Sequence, residues 1–275
     1  MLTLALIGDL HYPVLENESI EFQTTRERFF SKFMNEFLRI PADYHLSIGD
    51  LTHHGKQDEF KQIYNEITST EANWKHVLGN HDLYSLRKKE VEVLINQPRY
   101  QAFTTEEGLI VLLDTTRERR PDDWSGIIDL EQYEWLEKLV HEHTDLPIFV
   151  FAHHPLYNTT TRSAEWNGSI VREDAVHQLL TSHKRGGYYF CGHCHVHSIF
   201  KQNQWSYIQT AAVYDHPVAR LVTIHNGRLD TSLYEIGDDQ LLKDAQFIHH
   251  NVYKQETPFH TLGRYEDQKR TLSLS

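Results

Sequence analysis

The sequence predicts an α/β fold in which a mixed sheet system carries helices on its outer faces. Three observations lead there. Short, almost wholly apolar runs of strand length occur at 2–7, 109–113 and 148–151, as expected for strands buried on both faces. In the early part of the chain, strand candidates alternate with stretches whose apolar residues recur every three or four positions, the helical period. Late in the chain two strand candidates are joined by Asn226-Gly227, a strong hairpin signal.

Taken in order, 2–7 is a buried strand. It is apolar but lacks a basic flank and runs directly into Gly8-Asp9, which favours a strand over a signal segment. A long helix is expected over 19–39, because Phe22, Phe29, Phe30, Phe33, Met34 and Phe37 share one face. A strand at 44–48 ends at Gly49-Asp50. Phe60, Ile63, Tyr64 and Ile67 mark a second helix, and 74–78 a third strand ending at Gly79-Asn80. Between the strands at 109–113 and 148–151, residues 130–143 read as helix with Asp129 as its N-cap. A helix over 171–183 and a strand over 188–191 follow, then the strand pair 221–225 and 229–236. Residues 1–237 are expected to form the catalytic domain. Residues 238–275 are polar with scattered aromatics, a tail expected to pack on the core or on a partner subunit.

The formal net charge is −12, so nucleic-acid polymers and anionic membranes are poor partners. No apolar run approaches the ~20 residues of a membrane span. With Cys191 and Cys194 the only cysteines, a disulfide framework is excluded and a reducing, cytoplasmic setting is expected. Histidine is the anomaly, with 20 residues, so the question is whether some converge.

Polar residues recur at the ends of the expected strands. Asp9 and His11 follow the first, Asp50 the second, and Asn80, His81 and Asp82 the third. His153 and His154 follow the strand at 148–151, and His193 and His195 that at 188–191. Ligand sites of α/β sheets lie outside the carboxyl ends of the strands. Asp9 and His11, like His193 and His195, are two apart, so in extended chain each pair faces one side. A carboxylate such as Asp50 can bridge two cations, and Asn80 offers an amide oxygen. Two divalent cations outweigh Asp9, Asp50 and a bridging hydroxide, so the site would attract a phosphate ester despite the acidic chain. Nitrogen and oxygen ligands without thiolate suit Mn, Fe, Zn or Co.

The ordered set Asp9-Leu-His11, Gly49-Asp50-Leu-Thr-His-His-Gly55, Gly79-Asn80-His81-Asp82, His153-His154-Pro155 and Gly192-His193-Cys-His195 resembles the calcineurin-like metallophosphoesterases. All five motifs occur in order over residues 9 to 195, and as a set they are specific. Residues 49–60, and 126–139 with Gln132 and Trp135-Leu136, look most like the class III cyclic nucleotide and glycerophosphodiester phosphodiesterases. The resemblance implies a four-layer sandwich of two mixed β-sheets flanked by helices, the metallo-dependent phosphatase arrangement. It implies that Asp9, His11 and His195 hold one transition-metal ion and Asn80, His153 and His193 another, with Asp50 bridging. It implies hydrolysis of a small phosphodiester by a metal-bridging hydroxide, with His81 serving the leaving group and Asp82 orienting His81. His153 is preferred to His154 because the family ligand stands two before the proline.

His154, His53, Asn80 and His81 are candidates to touch substrate. Purple acid phosphatases carry an iron-binding tyrosine three residues after the bridging aspartate, and His53 stands there instead, which argues against that branch. His45, His76, His141, His143, His177, His183, His225, His249, His250 and His260 are expected at the surface or in packing. Three competing functions remain: a phosphomonoesterase on the same site, a non-catalytic scaffold of the same fold, and a thiol oxidoreductase using Cys191-Gly-His-Cys194. A homo-oligomer is left open.

Overall fold

The computed structural model describes residues 1–171, 174–254 and 260–274; for Asp174 only the backbone is described. The first sheet contains β1 (Leu2–Ile7), β2 (Tyr44–Ile48), β3 (Trp74–Val77), β10 (Val218–His225), β11 (Arg228–Glu235) and β12 (Lys269–Ser273), in the order β12-β11-β10-β1-β2-β3. The second contains β4 (Gln101–Thr105), β5 (Gly108–Leu112), β6 (Ile148–Phe151), β7 (Gly187–Cys191), β8 (Ser198–Gln202) and β9 (Trp205–Gln209), in the order β4-β5-β6-β7-β9-β8. Both are mixed. β1, β2 and β3 run parallel in one, and β5, β6, β7 and β9 in the other.

Alternation along each strand builds the layers. Leu2, Leu4 and Leu6 of β1 point between the sheets, meeting Ile110, Phe149, Phe151 and Phe190. Ala5 and Ile7 point the other way, onto α1 (Ile20–Leu38) and α6 (Asp239–Tyr253). On the far side, Val111, Val150 and Tyr189 pack on Leu136 of α4 (Leu130–Glu142) and Leu180 of α5 (Asp174–Ser182). Each sheet thus buries one face on its twin and one on helices, giving the expected four-layer sandwich.

Local signals set several boundaries. The Ser19 hydroxyl accepts the Phe22 amide at 3.1 Å to open α1, and the phenylalanine stripe is buried along it. Asp129 caps α4 through the Gln132 amide at 2.9 Å. Asn226 and Gly227 both take positive φ, 51° and 73°, as a tight primed turn requires. Other elements differ from expectation. The strand expected at 221–225 begins at Val218. Of the helix expected over 171–183, Asp174–Ser182 is observed, and residues 172 and 173 lie outside the described residues. The helices α2 (Gln57–Thr68) and α3 (Lys88–Ile95), and the hairpin of β8 and β9, complete the periphery. After Gly237, α6 packs on α1, with Asp244 taking a bidentate grip from Arg28 at 2.6 Å. The short α7 (Tyr265–Gln268) then leads into β12, which pairs antiparallel with β11.

Candidate metal centre

The carboxyl ends of β1, β2, β3, β6 and β7 meet where the two sheets abut. The loops after β1 and β2 are zipped together, with the Asp9 amide donating to the Gly49 carbonyl at 3.1 Å and the His11 amide to the Asp50 carbonyl at 2.8 Å. A side chain at Gly49 would lie 2.3 Å from the His153 ring, and one at Gly79 2.1 Å from the Asp50 amide. Glycine before these residues is therefore a packing requirement. It lets ligands from both sheets crowd into one volume.

The backbone corrects the reading of the paired residues. Asp9, His11, His193 and His195 are not extended. They have φ of 49°, 48°, 69° and 51°, and Asp50 shares the left-handed region at 50°. Five of the seven candidate ligands thus hold a conformation that costs a non-glycine residue on the order of 1 kcal/mol or more. Surrounding bonds maintain it. The His193 amide, for instance, donates to both Asp9 oxygens at 3.1 and 3.2 Å.

The acceptors converge in two groups. His153 Nδ1–H donates to the Ile48 carbonyl at 2.9 Å, and His193 Nε2–H to the Asn167 carbonyl at 2.9 Å. That assigns both tautomers and turns His153 Nε2 and His193 Nδ1 inward as lone pairs, 3.3 Å apart. Asn80 Oδ1 lies 3.1 Å from each, while its amide nitrogen donates to the Tyr84 hydroxyl at 2.7 Å. With His153 neutral, three acceptors face one point with no donor among them. A tetrahedral zinc with its usual nitrogen distances separates ligand atoms by about 3.3 Å, so the set fits a cation. In the second group His11 Nε2 and His195 Nε2 are 3.2 Å apart, and Asp9 Oδ1 is 3.3 Å from His195 and 4.0 Å from His11. Asp9, His11 and His195 form one cluster able to hold a metal, and Asp9, Asp50 and His153 another.

Asp50 stands between the groups. Its Oδ1 accepts the His81 amide at 2.7 Å, and its Oδ2 lies 3.3 Å from His153 Nε2 and 3.7 Å from His11 Nε2. Burial would raise its carboxyl pKa, but His153 and His81 hold it well below the usual carboxylate range. Burial works against the His153 imidazolium, yet Asp50 raises its pKa to about 9. In the metal-free chain a proton on His153 thus stands where a cation would. Burial and His153 together depress His193 to about 3.

His81 Nδ1–H donates to the His53 carbonyl at 2.6 Å, and its ring meets that of His11 edge-on at 4.4 Å. The expected bond from Asp82 to His81 is not made. Asp82 is buried and accepts from the Leu51, Thr52 and Gly79 amides, the Thr52 hydroxyl and His76 Nε2, at 2.8 to 3.3 Å. It braces the loops that carry Asp50 and Asn80 and touches no candidate ligand side chain. His154 is also corrected as a substrate contact. It is buried, with Nδ1 on the Thr115 hydroxyl at 2.8 Å and Nε2 on the Trp124 carbonyl at 3.0 Å, so neither nitrogen is available. His53 lies beside the centre, its ring 5.7 Å from His11 and 5.2 Å from His81. Tyr253 of α6 and Tyr214, bonded to each other, face the His11 ring at 6.1 and 5.5 Å. No sequence pattern marked those tyrosines, because only tertiary packing brings 253 to residue 11. Cys191 and Cys194 are buried free thiols. Burial lifts the first well above its ordinary pKa and the second to about 12, leaving no reactive thiolate.

The sequence profile of calcineurin-like phosphoesterases matches residues 2–197, most of the chain and every candidate ligand. The chain belongs to that family. As a calcineurin-like phosphoesterase it is a metal-dependent phosphoric ester hydrolase. Among relatives of this phosphoesterase, a probable glycerophosphodiester phosphodiesterase of Arcobacter nitrofigilis is 23% identical over 66% of this chain and 67% of its own. A probable cyclic nucleotide phosphodiesterase of Rhodopseudomonas palustris is 27% identical over 54% of each, so that alignment spans about half of either protein. The fold superposes on a dimetal phosphatase from Danio rerio with a TM-score of 0.71 at 14% identity, covering 100% of this chain and 99% of that one. No helix among the described residues is long and apolar enough to cross a membrane.

Proposed function

We propose that this phosphoesterase hydrolyses a small phosphodiester at a dinuclear centre. Asp9, His11 and His195 would hold one cation, Asn80, His153 and His193 the other, and Asp50 both. The observation that carries this reading is the position of Asp50 Oδ2 between His153 and His11. Nitrogen and oxygen donors without thiolate suit Mn, Fe, Zn or Co. Bound cations would supply an activated water and neutralise charge on the phosphoryl oxygens. The chain's own part is positional. Carbonyl bonds lock the tautomers of His153 and His193, and the Asp50 oxygens are shared between the site and the His81 amide. His81, its Nδ1 engaged by the His53 carbonyl, presents Nε2 as the atom that would serve the leaving oxygen.

The names of the relatives favour a diester, and a phosphomonoesterase on the same residues is the second reading. Metal-reconstituted protein should cleave bis-p-nitrophenyl phosphate faster than p-nitrophenyl phosphate with at least one of Mn, Fe, Zn or Co. The reverse preference would select the monoesterase. Inertness towards both and towards natural phosphoesters, with metal bound, would leave a scaffold. Replacing Cys191 and Cys194 by serine should preserve most of the activity.

A further inference from the structure

A groove of about 850 Å³ opens beside the centre between residues 117–125 and 157–171, within the size range of small-molecule sites. It adjoins the candidate metal ligands through one residue. Asn167 lines it, and the Asn167 carbonyl is the acceptor that fixes His193. The opposite wall contains Ser125, next to Trp124, whose carbonyl holds His154. The two walls are tied at their base, where the Gly126 amide donates to Ser169 and the Val171 amide to Gly126, at 3.0 and 2.9 Å. A group attached to a phosphate at the metals would therefore meet this groove.

Its lining is unusual in what it leaves exposed. Trp166 shows 83% of its surface and Tyr157 55%, both large aromatic side chains on one groove. Among the described residues there, both arginines are already engaged. Arg117 Nε donates to the Ser125 carbonyl and hydroxyl at 3.1 Å and lies 3.2 Å from Asp123, and Arg120 pairs with Asp122 at 2.9 Å. Among the described residues of the lining, Asp122, Asp123 and Glu165 stand against two arginines, an acidic excess. A second phosphate is disfavoured there, and a glycerol moiety has no flat face to offer Trp166. An uncharged planar ring has one, and stacking on an aromatic platform needs no free cation.

We propose that this groove seats the nucleoside part of the substrate, with Trp166 as the stacking platform for its base. This rests on the phosphodiester reading above but can be tested apart from it. The probe is adenosine, which has no phosphate, in equilibrium dialysis against wild type, Trp166→Ala and Trp166→Phe, with metal content measured in each. Adenosine should bind wild type, bind Trp166→Ala about tenfold more weakly or worse, and be largely restored by Trp166→Phe, as expected for one base–aromatic stack. Metal content should not change. In parallel, the ratio of kcat/KM for 2′,3′-cyclic AMP to that for glycerophosphoethanolamine should fall about tenfold in Trp166→Ala. Absence of adenosine binding, or binding indifferent to Trp166, overturns the groove assignment whatever the hydrolysis assays give. Adenosine binding that depends on Trp166 without any phosphoester cleavage sinks the phosphodiesterase reading and leaves the groove standing.

Discussion

At Asp50, one oxygen accepts the His81 amide while the other sits between His153 and His11. Asp50→Ala should therefore release both cations, and kcat/KM should drop about a thousandfold or more. Metal analysis of the purified variant checks the first part, and near-normal metal with full activity would refute the shared-ligand role. His81→Ala should keep its metal and lose kcat by about 10²–10⁴-fold, more for poor leaving groups than for p-nitrophenolate. The protonation of His153 makes a pH prediction for the metal-free protein. Burial opposes the imidazolium but Asp50 prevails, raising the pKa to about 9 from about 6.5 in the unfolded chain. A raised pKa means stability that is complete below about 6.5 and lost as pH climbs through about 9. The melting temperature of EDTA-treated protein should fall across that window while zinc uptake strengthens, since binding must displace the proton. A melting temperature flat across it would mean His153 is neutral beside Asp50.

Among the elements, the loops after β2 and β3 depend on one buried carboxylate. Asp82 ties the amides of Leu51 and Thr52 to that of Gly79, and its hydrogen bond with His76 Nε2, 3.1 Å long, is wholly buried. Removing the acceptor leaves buried donors unsatisfied, at about 1–3 kcal/mol for each such group. Asp82→Ala should show that loss in urea unfolding, together with weaker metal binding because Asp50 and Asn80 lose their common anchor. Unchanged stability would mean the brace is redundant. The motif Gly79-Asn80-His81-Asp82 thus combines two jobs that its spelling does not separate. Asn80 and His81 face the site, and Asp82 turns beneath it.

For the whole molecule, the stretch after 237 matters more than its polarity suggests. Leu241, Ala245 and Ile248 of α6 are buried against α1, and β12 extends the first sheet. Burying the Leu and Ile side chains alone is worth about 1.5–3 kcal/mol each, a large share of the ~5–15 kcal/mol that holds a typical domain. A chain ending at Gly237 should lose cooperative unfolding or solubility, and Tyr253 would no longer stand beside His11. Circular dichroism melts and size exclusion of residues 1–237 test this. A cooperative, monodisperse fragment with normal metal content would make residues 238–275 a dispensable tail.

Strands buried on both faces are legible because every residue in them must be apolar, as in 148–151, and α1 because its phenylalanines repeat at the helical period. The candidate ligand set is legible because metals demand particular residue types, here found at strand ends. The edge strands β4, β8 and β12 are not legible, since polar residues interrupt each and no continuous apolar run marks it. Donor chemistry and strand-end position are local properties, so the candidate ligands can be named from the chain alone. How they converge is set by tertiary contacts. The left-handed backbone at Asp9, His11, Asp50, His193 and His195 is held by hydrogen bonds from distant loops. The roles of Asp82 and His154 follow from neighbours far along the chain, and the groove at Trp166 forms only when residues 117–125 and 157–171 fold against each other. Each of these is a contact between segments remote in sequence, which no local pattern encodes.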